Sequence, residues 1–300
     1  MWELLEHFAR VEPNRGVTRD TVHVLQRIAG SNAAKTAALA AIIFNRTTNG
    51  AGARKVRDAC VNIFSALTVW QQESQSAAMM ATLLADPFRY HEELHHVIFS
   101  CGAWLVTAKH GINQHAFTLL DRIVSTVVAG IHDLDAQYAH EAAWPEPAAA
   151  ANRGLMLSAD EAATRLRQAS QGFDENTKET RDAVYQQARP LLSRLAGIGH
   201  PHIAHSLLEA LSLLIPADPP GVLLLAGEVV RTGSKYGYQY ESLAEGLIVQ
   251  MVERYLAEYR PILREHRECH QTLMDILDVF VRVGWPSAHR LTYRLGEIYR

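Results

Sequence analysis

The residues most suggestive of chemistry are His91-Glu92-Glu93-Leu94-His95. On a helix this H-E-x-x-H spacing sets two imidazoles one turn apart on one face, where they can hold zinc. Glu92 would then be the general base that activates a metal-bound water, with a third ligand supplied from elsewhere. Three features oppose that chemistry. Glu93 charges a position that zinc-peptidase helices keep uncharged, and Ile98 stands where the longer metzincin pattern needs glycine. Pro87, four residues before His91, puts the motif in the first turn of its helix. In a chain of 300 residues with 15 histidines, a chance match is roughly a one-in-twenty event. A polar, partly exposed helix start is therefore expected, without a cofactor; a zinc-dependent hydrolase using His91, Glu92 and His95 is the alternative.

Other clusters are weaker. His266, Cys269 and His270 stand at i, i+3 and i+4 and would share a helical face, inside a charged stretch that reads as solvated surface. His200, His202 and His205 flank a helix start, where imidazoles more often cap or pack than bind metal. Gly30–Thr36 lacks the second glycine of a phosphate loop and follows a helix rather than a strand. Gly50–Lys55 reads as an interhelical turn, and no Gly-x-Ser-x-Gly elbow is present. The loop Ser234–Tyr240 gathers Tyr236, Tyr238 and Tyr240 with glycine, a composition suited to contacting a protein partner. Arg282, Arg290, Arg294 and Arg300 are interleaved with Asp275, Asp278 and Glu297, so a mixed surface is expected there rather than a phosphate-facing patch.

The elements that must position these residues are helical. At 48% hydrophobic and 20% charged, the chain has ample material for a core and is neither disordered nor fibrous. A net charge of −3 gives no electrostatic case for nucleic acid or an anionic membrane. Three scattered cysteines make no disulfide framework, and Met1-Trp2-Glu3-Leu4-Leu5-Glu6 places acid where a signal peptide would place base. No apolar run reaches the length of a membrane span, so a cytoplasmic setting is expected. Helical spacing predicts segments near 1–12, 18–28, 33–45, 54–73, 76–85, 90–109 and 113–142. It continues over 158–170, 175–197, 200–214, 219–232, 239–259, 261–283 and 286–299. The fold class is all-α. Trp144-Pro145-Glu146-Pro147 and the alanines after it suggest a Pro/Ala-rich linker, 144–157, between an N-terminal helical domain, 1–143, and a C-terminal one, 158–300.

Four glycines repeat one arrangement. Gly111, Gly199, Gly233 and Gly284 each follow an apolar stretch and precede another helix, as expected where a helix ends in a left-handed glycine and its successor packs back antiparallel. Their irregular intervals scatter around the ~40–47 residues, or twice that, of paired-helix repeats. This pattern resembles an irregular HEAT-like α-solenoid, most clearly over 188–300 and more loosely over 1–143. Gly237–Ala244, Val252–Leu256 and Val281–Arg300 also resemble the helical-repeat tails of large bacterial ATP-binding proteins, including antiphage defence ATPases. That family carries a nucleotide-binding module, which is not visible in this chain. The resemblance implies a non-catalytic scaffold or sensor that binds a protein partner within a larger bacterial assembly.

Overall fold

Asparagine and proline set where many of the helices begin. Asn14 accepts the Gly16 amide at 2.8 Å, Asn32 the Lys35 amide at 2.9 Å and Asn113 the Ala116 amide at 3.1 Å. Each side chain satisfies a backbone donor that the helix cannot pair internally. Pro201 and Pro219 open helices where a missing N–H costs nothing. The computed structural model describes residues 1–11, 14–47, 52–107, 111–171, 178–235, 245–282 and 284–295. Among these the fold is all-α, apart from one short hairpin, and forms two compact units, Met1–Ser158 and Ala159–Arg300. No helix among the described residues is long and apolar enough to cross a membrane.

The first unit contains α1 (Trp2–Val11), α2 (Arg15–Ile28), α3 (Ala33–Arg46), α4 (Ala53–Ala66), α5 (Ser74–Ala85), α6 (His91–Gly102) and α7 (Gln114–Tyr138). The start of α8 (Glu146–Gln171) belongs to it as well, since the division between units falls inside that helix. Helix α4 is the hub and packs on α2, α3, α5 and α6. Phe44 of α3 and Phe64 of α4 meet edge to face at 5.9 Å in the buried centre.

The second unit holds the rest of α8, then α9 (Lys178–Ala196), α10 (Pro201–Leu214), α11 (Pro219–Lys235) and α12 (Glu245–Glu258). Helices α13 (Arg260–Glu265), α14 (Arg267–Arg282) and α15 (Pro286–Leu295) complete it. Helix α11 packs on α9, α10 and α14. Gly227 allows α14 to come close, because a Cβ there would overlap Thr272 Cγ2. The end of α14 is a Schellman turn. Gly284 sits at φ 87°, its amide reaches the Val281 carbonyl at 3.0 Å, and the Trp285 amide reaches that of Phe280 at 3.1 Å. The rings of Trp285 and Phe280 stack at 4.3 Å over that turn.

Several sequence expectations are revised. Residues 146–157 are helical, with Pro147 in the first turn of α8, where proline removes no intrahelical bond. Ala148 and Ala151 are buried there rather than idle. The stretch 90–109 does not stay helical. Helix α6 stops at Gly102, and Val106–Thr107 (β1) pairs antiparallel with Gly111–Ile112 (β2), so Gly111, at φ 63°, serves a hairpin. Gly199, at φ 76°, does occupy a left-handed turn, whereas Gly233 lies within α11. The run 54–73 changes character at Leu67, where five residues wind as π-helix before Gln72 turns left-handed at φ 51°.

Candidate functional site

The histidine–glutamate motif lies on α6, and its acids face α4. Arg57 Nε donates to Glu93 Oε1 at 2.7 Å and one terminal nitrogen reaches the Thr47 carbonyl at 3.3 Å. The same guanidinium lies over the Phe44 ring, 4.0 Å from its centroid. Glu93 is only 8% exposed, so this pair is held by hydrogen bonds as well as by charge. One turn outward, Arg54 pairs with Glu92 at 3.3 Å. Further along, Asp58 interacts electrostatically with His96, and Ser100 Oγ donates to Asn62 Oδ1.

These contacts form a ladder whose residue numbers rise together on both helices, with an offset of 38 at the Arg54–Glu92 and Asn62–Ser100 rungs and 36 at Arg57–Glu93. Such numbering requires α4 and α6 to run parallel, with α5 as the return between them. Burial pushes the His96 imidazole below its ordinary pKa, against the opposing pull of Asp58. Burial also raises the Asp58 carboxyl.

The motif's histidines turn elsewhere. His91 Nδ1 meets the Phe88 carbonyl at 2.9 Å, which assigns the proton to that nitrogen in the neutral ring. Its ring lies against Gly154 of α8, where any Cβ would overlap it. Ser158 Oγ donates to the His91 carbonyl at 3.4 Å from the same helix. His95 is half-buried, with Nδ1 enclosed and unpaired. Glu92, committed to Arg54 on an exposed edge, is not held against either imidazole by any hydrogen bond. Among the described residues no group of three His, Cys, Asp or Glu side chains is placed to hold a metal ion.

The remaining candidates separate in the same manner. His266 is extended backbone between α13 and α14, so it leaves the helical face of Cys269 and His270. His200 precedes α10 without capping it through its side chain, and its ring lies 5.7 Å from that of His202. His205 stands 3.8 Å from Glu209. Cys60, Cys101 and Cys269 are all buried, and desolvation raises their thiol pKa values, which keeps them protonated and poor nucleophiles. Gly52, at φ 81°, starts α4, and Arg294 pairs with Glu253 at 3.6 Å. Tyr236, Tyr238, Tyr240 and Arg300 lie outside the described residues.

One arrangement escaped the sequence reading. The π-helical turn Leu67–Gln71 presents Trp70, 41% exposed, with its ring edge to face with Trp104 at 6.3 Å. Beside it the Gln72 amide and His115 Nε2 meet at 2.9 Å. A π turn carries an extra residue, and a left-handed non-glycine residue is disfavoured, so packing holds this corner in shape. Its chemistry is that of a contact surface: a large aromatic face with a hydrogen-bonding amide and imidazole at the rim. The local sequence Thr68-Val69-Trp70-Gln71-Gln72 contains neither glycine nor proline to announce it.

Comparison with known proteins found no family model, no curated protein and no solved structure that matches this chain.

Proposed function

We propose that this protein is a non-catalytic helical-repeat scaffold or sensor that binds a protein partner. The observation that supports this most directly is the Trp70–Trp104 corner. An exposed indole is held by packing beside a polar rim, while the catalytic-looking acids of α6 are committed to arginines of α4. Preformed aromatic surface of this kind concentrates binding energy at interfaces because little side-chain freedom is lost on contact. Tyr236, Tyr238 and Tyr240 are a second proposed contact, on composition alone. The HEAT-like resemblance favours a stacked-helix recognition surface, and the bacterial, antiphage setting implied by the separate resemblance to ATPase helical-repeat tails belongs to the same proposal.

The test is affinity capture of the tagged chain from its source cells, followed by reconstitution with the purified partner. A one-to-one complex that survives size exclusion is expected. Trp70→Ala, or the combined change of Tyr236, Tyr238 and Tyr240 to serine, should weaken it at least tenfold while the helical circular dichroism is unchanged. Recovery of the chain alone, or a complex indifferent to both sets of changes, would remove the basis for this function.

A further inference from the structure

The second unit contains a cleft of about 360 Å³ whose lining includes Arg181, Ile215, Pro216, Gln250, Met251 and Arg254. That volume lies at the lower end of small-ligand sites. Its floor is apolar, with Leu213 and Pro216 presented to it above the buried Ile215 and Met251. Its charge comes from two helices, with Arg181 on α9 and Arg254 on α12.

The two arginines are differently placed. Arg254 Nε donates to Glu258 Oε2 at 3.0 Å, and one terminal nitrogen donates to the Ser212 carbonyl at 3.2 Å near the end of α10. The carbonyl-rich end of α10 is thereby answered from within the protein, and the other terminal nitrogen of Arg254 has no partner among the described residues. Arg181 is half-buried and makes no ion pair or hydrogen bond among the described residues. Among the described residues, the two guanidiniums of the lining are answered by one paired carboxylate, that of Glu258, which leaves one positive charge over an apolar floor. Partial desolvation strengthens its attraction for an anion, and a planar guanidinium matches a carboxylate in particular.

We propose that this cleft binds a small organic monocarboxylate with an apolar body. The carboxylate engages Arg181 and the terminal nitrogen of Arg254 that has no partner among the described residues, and the body covers Leu213, Pro216 and the edge of Met251. A phosphate dianion would exceed the available charge and leave the apolar floor uncovered. The site is independent of the protein-binding function proposed above.

Octanoate is the probe, titrated calorimetrically into the full chain, with octanamide and inorganic phosphate as controls. Saturable one-to-one binding of octanoate is expected, weakening as salt is raised. Octanamide and phosphate should give no comparable binding. Arg181→Ala should weaken octanoate at least tenfold with unchanged circular dichroism, and Arg181→Lys should fall between it and the parent. Equal affinity for octanoate and octanamide, an unaffected Arg181→Ala variant, or the absence of saturation would each overturn the proposal.

Discussion

The α4–α6 and α11–α14 seams join helices by different means. In the first unit, charge and amide groups cross the seam at successive turns, from Arg54–Glu92 to Asn62–Ser100. In the second, Gly227 admits the Thr272 methyl, and both helices carry buried apolar residues, such as Val230 on α11 and Leu273 on α14. A ladder of directional bonds fixes register, because each rung is satisfied only by its own partner. A glycine step fixes separation, because it removes volume at one point and leaves sliding to be resisted by packing. The first kind of seam fails by losing a partner and the second by gaining an atom.

The largest expected effect is on the ladder. Arg57→Ala would leave Glu93 buried and unpaired, at a cost of about 3 kcal/mol, seen as a lower midpoint of urea unfolding. On the other seam, Gly227→Ala should cost about 1–2 kcal/mol, overlap with Thr272 being partly offset by better helix propensity. Thr272→Ala in the same chain should recover most of that loss. No recovery would show that the glycine is needed for something other than close approach.

Acidification comes next in size. The folded His96 pKa is depressed by burial, so the unfolded chain binds its proton more readily and stability falls as pH drops below the ordinary value of 6.5. His200 is depressed for the same reason in the second unit. Asp58 acts oppositely at lower pH, because its raised folded pKa favours the protonated native state and its contribution is lost as pH rises. Urea midpoints measured from about pH 7.5 to about pH 5.5 should therefore decline, and His96→Gln should flatten the decline without abolishing it. The smallest effect belongs to Glu92. Its bond to Arg54 is at the surface, so Glu92→Ala should change stability by less than about 0.5 kcal/mol.

Much of the architecture was legible because it rests on local rules. The spacing of Ala37, Ala40, Ile43 and Phe44 identifies α3, and Thr272, Leu273, Ile276, Leu277 and Phe280 identify the buried face of α14. Where tertiary packing overrides local preference, legibility ends. Pro147, which looks like a breaker, is tolerated in the first turn of α8, and Val106-Thr107 leaves its apolar neighbours to pair with Gly111-Ile112. Glu93 is instructive: as sequence it only spoils a zinc-helix pattern, and its partner Arg57 lies 36 residues earlier. In sequence Trp70 is one more residue at helical spacing, because nothing in its neighbours signals the π turn.

The parallel ladder has a consequence for the time order of folding. None of its hydrogen-bonded rungs spans more than 38 residues. During synthesis, α6 therefore meets its partner on α4 once the single intervening helix has emerged, with no need to wait for the distant C-terminus. Loop-closure entropy grows with the length closed, so this seam forms at a smaller entropic cost than one that reached a more distant helix. The buried carboxylate of Glu93 is thus paired soon after it leaves the ribosome, before later helices can offer it a competing arginine.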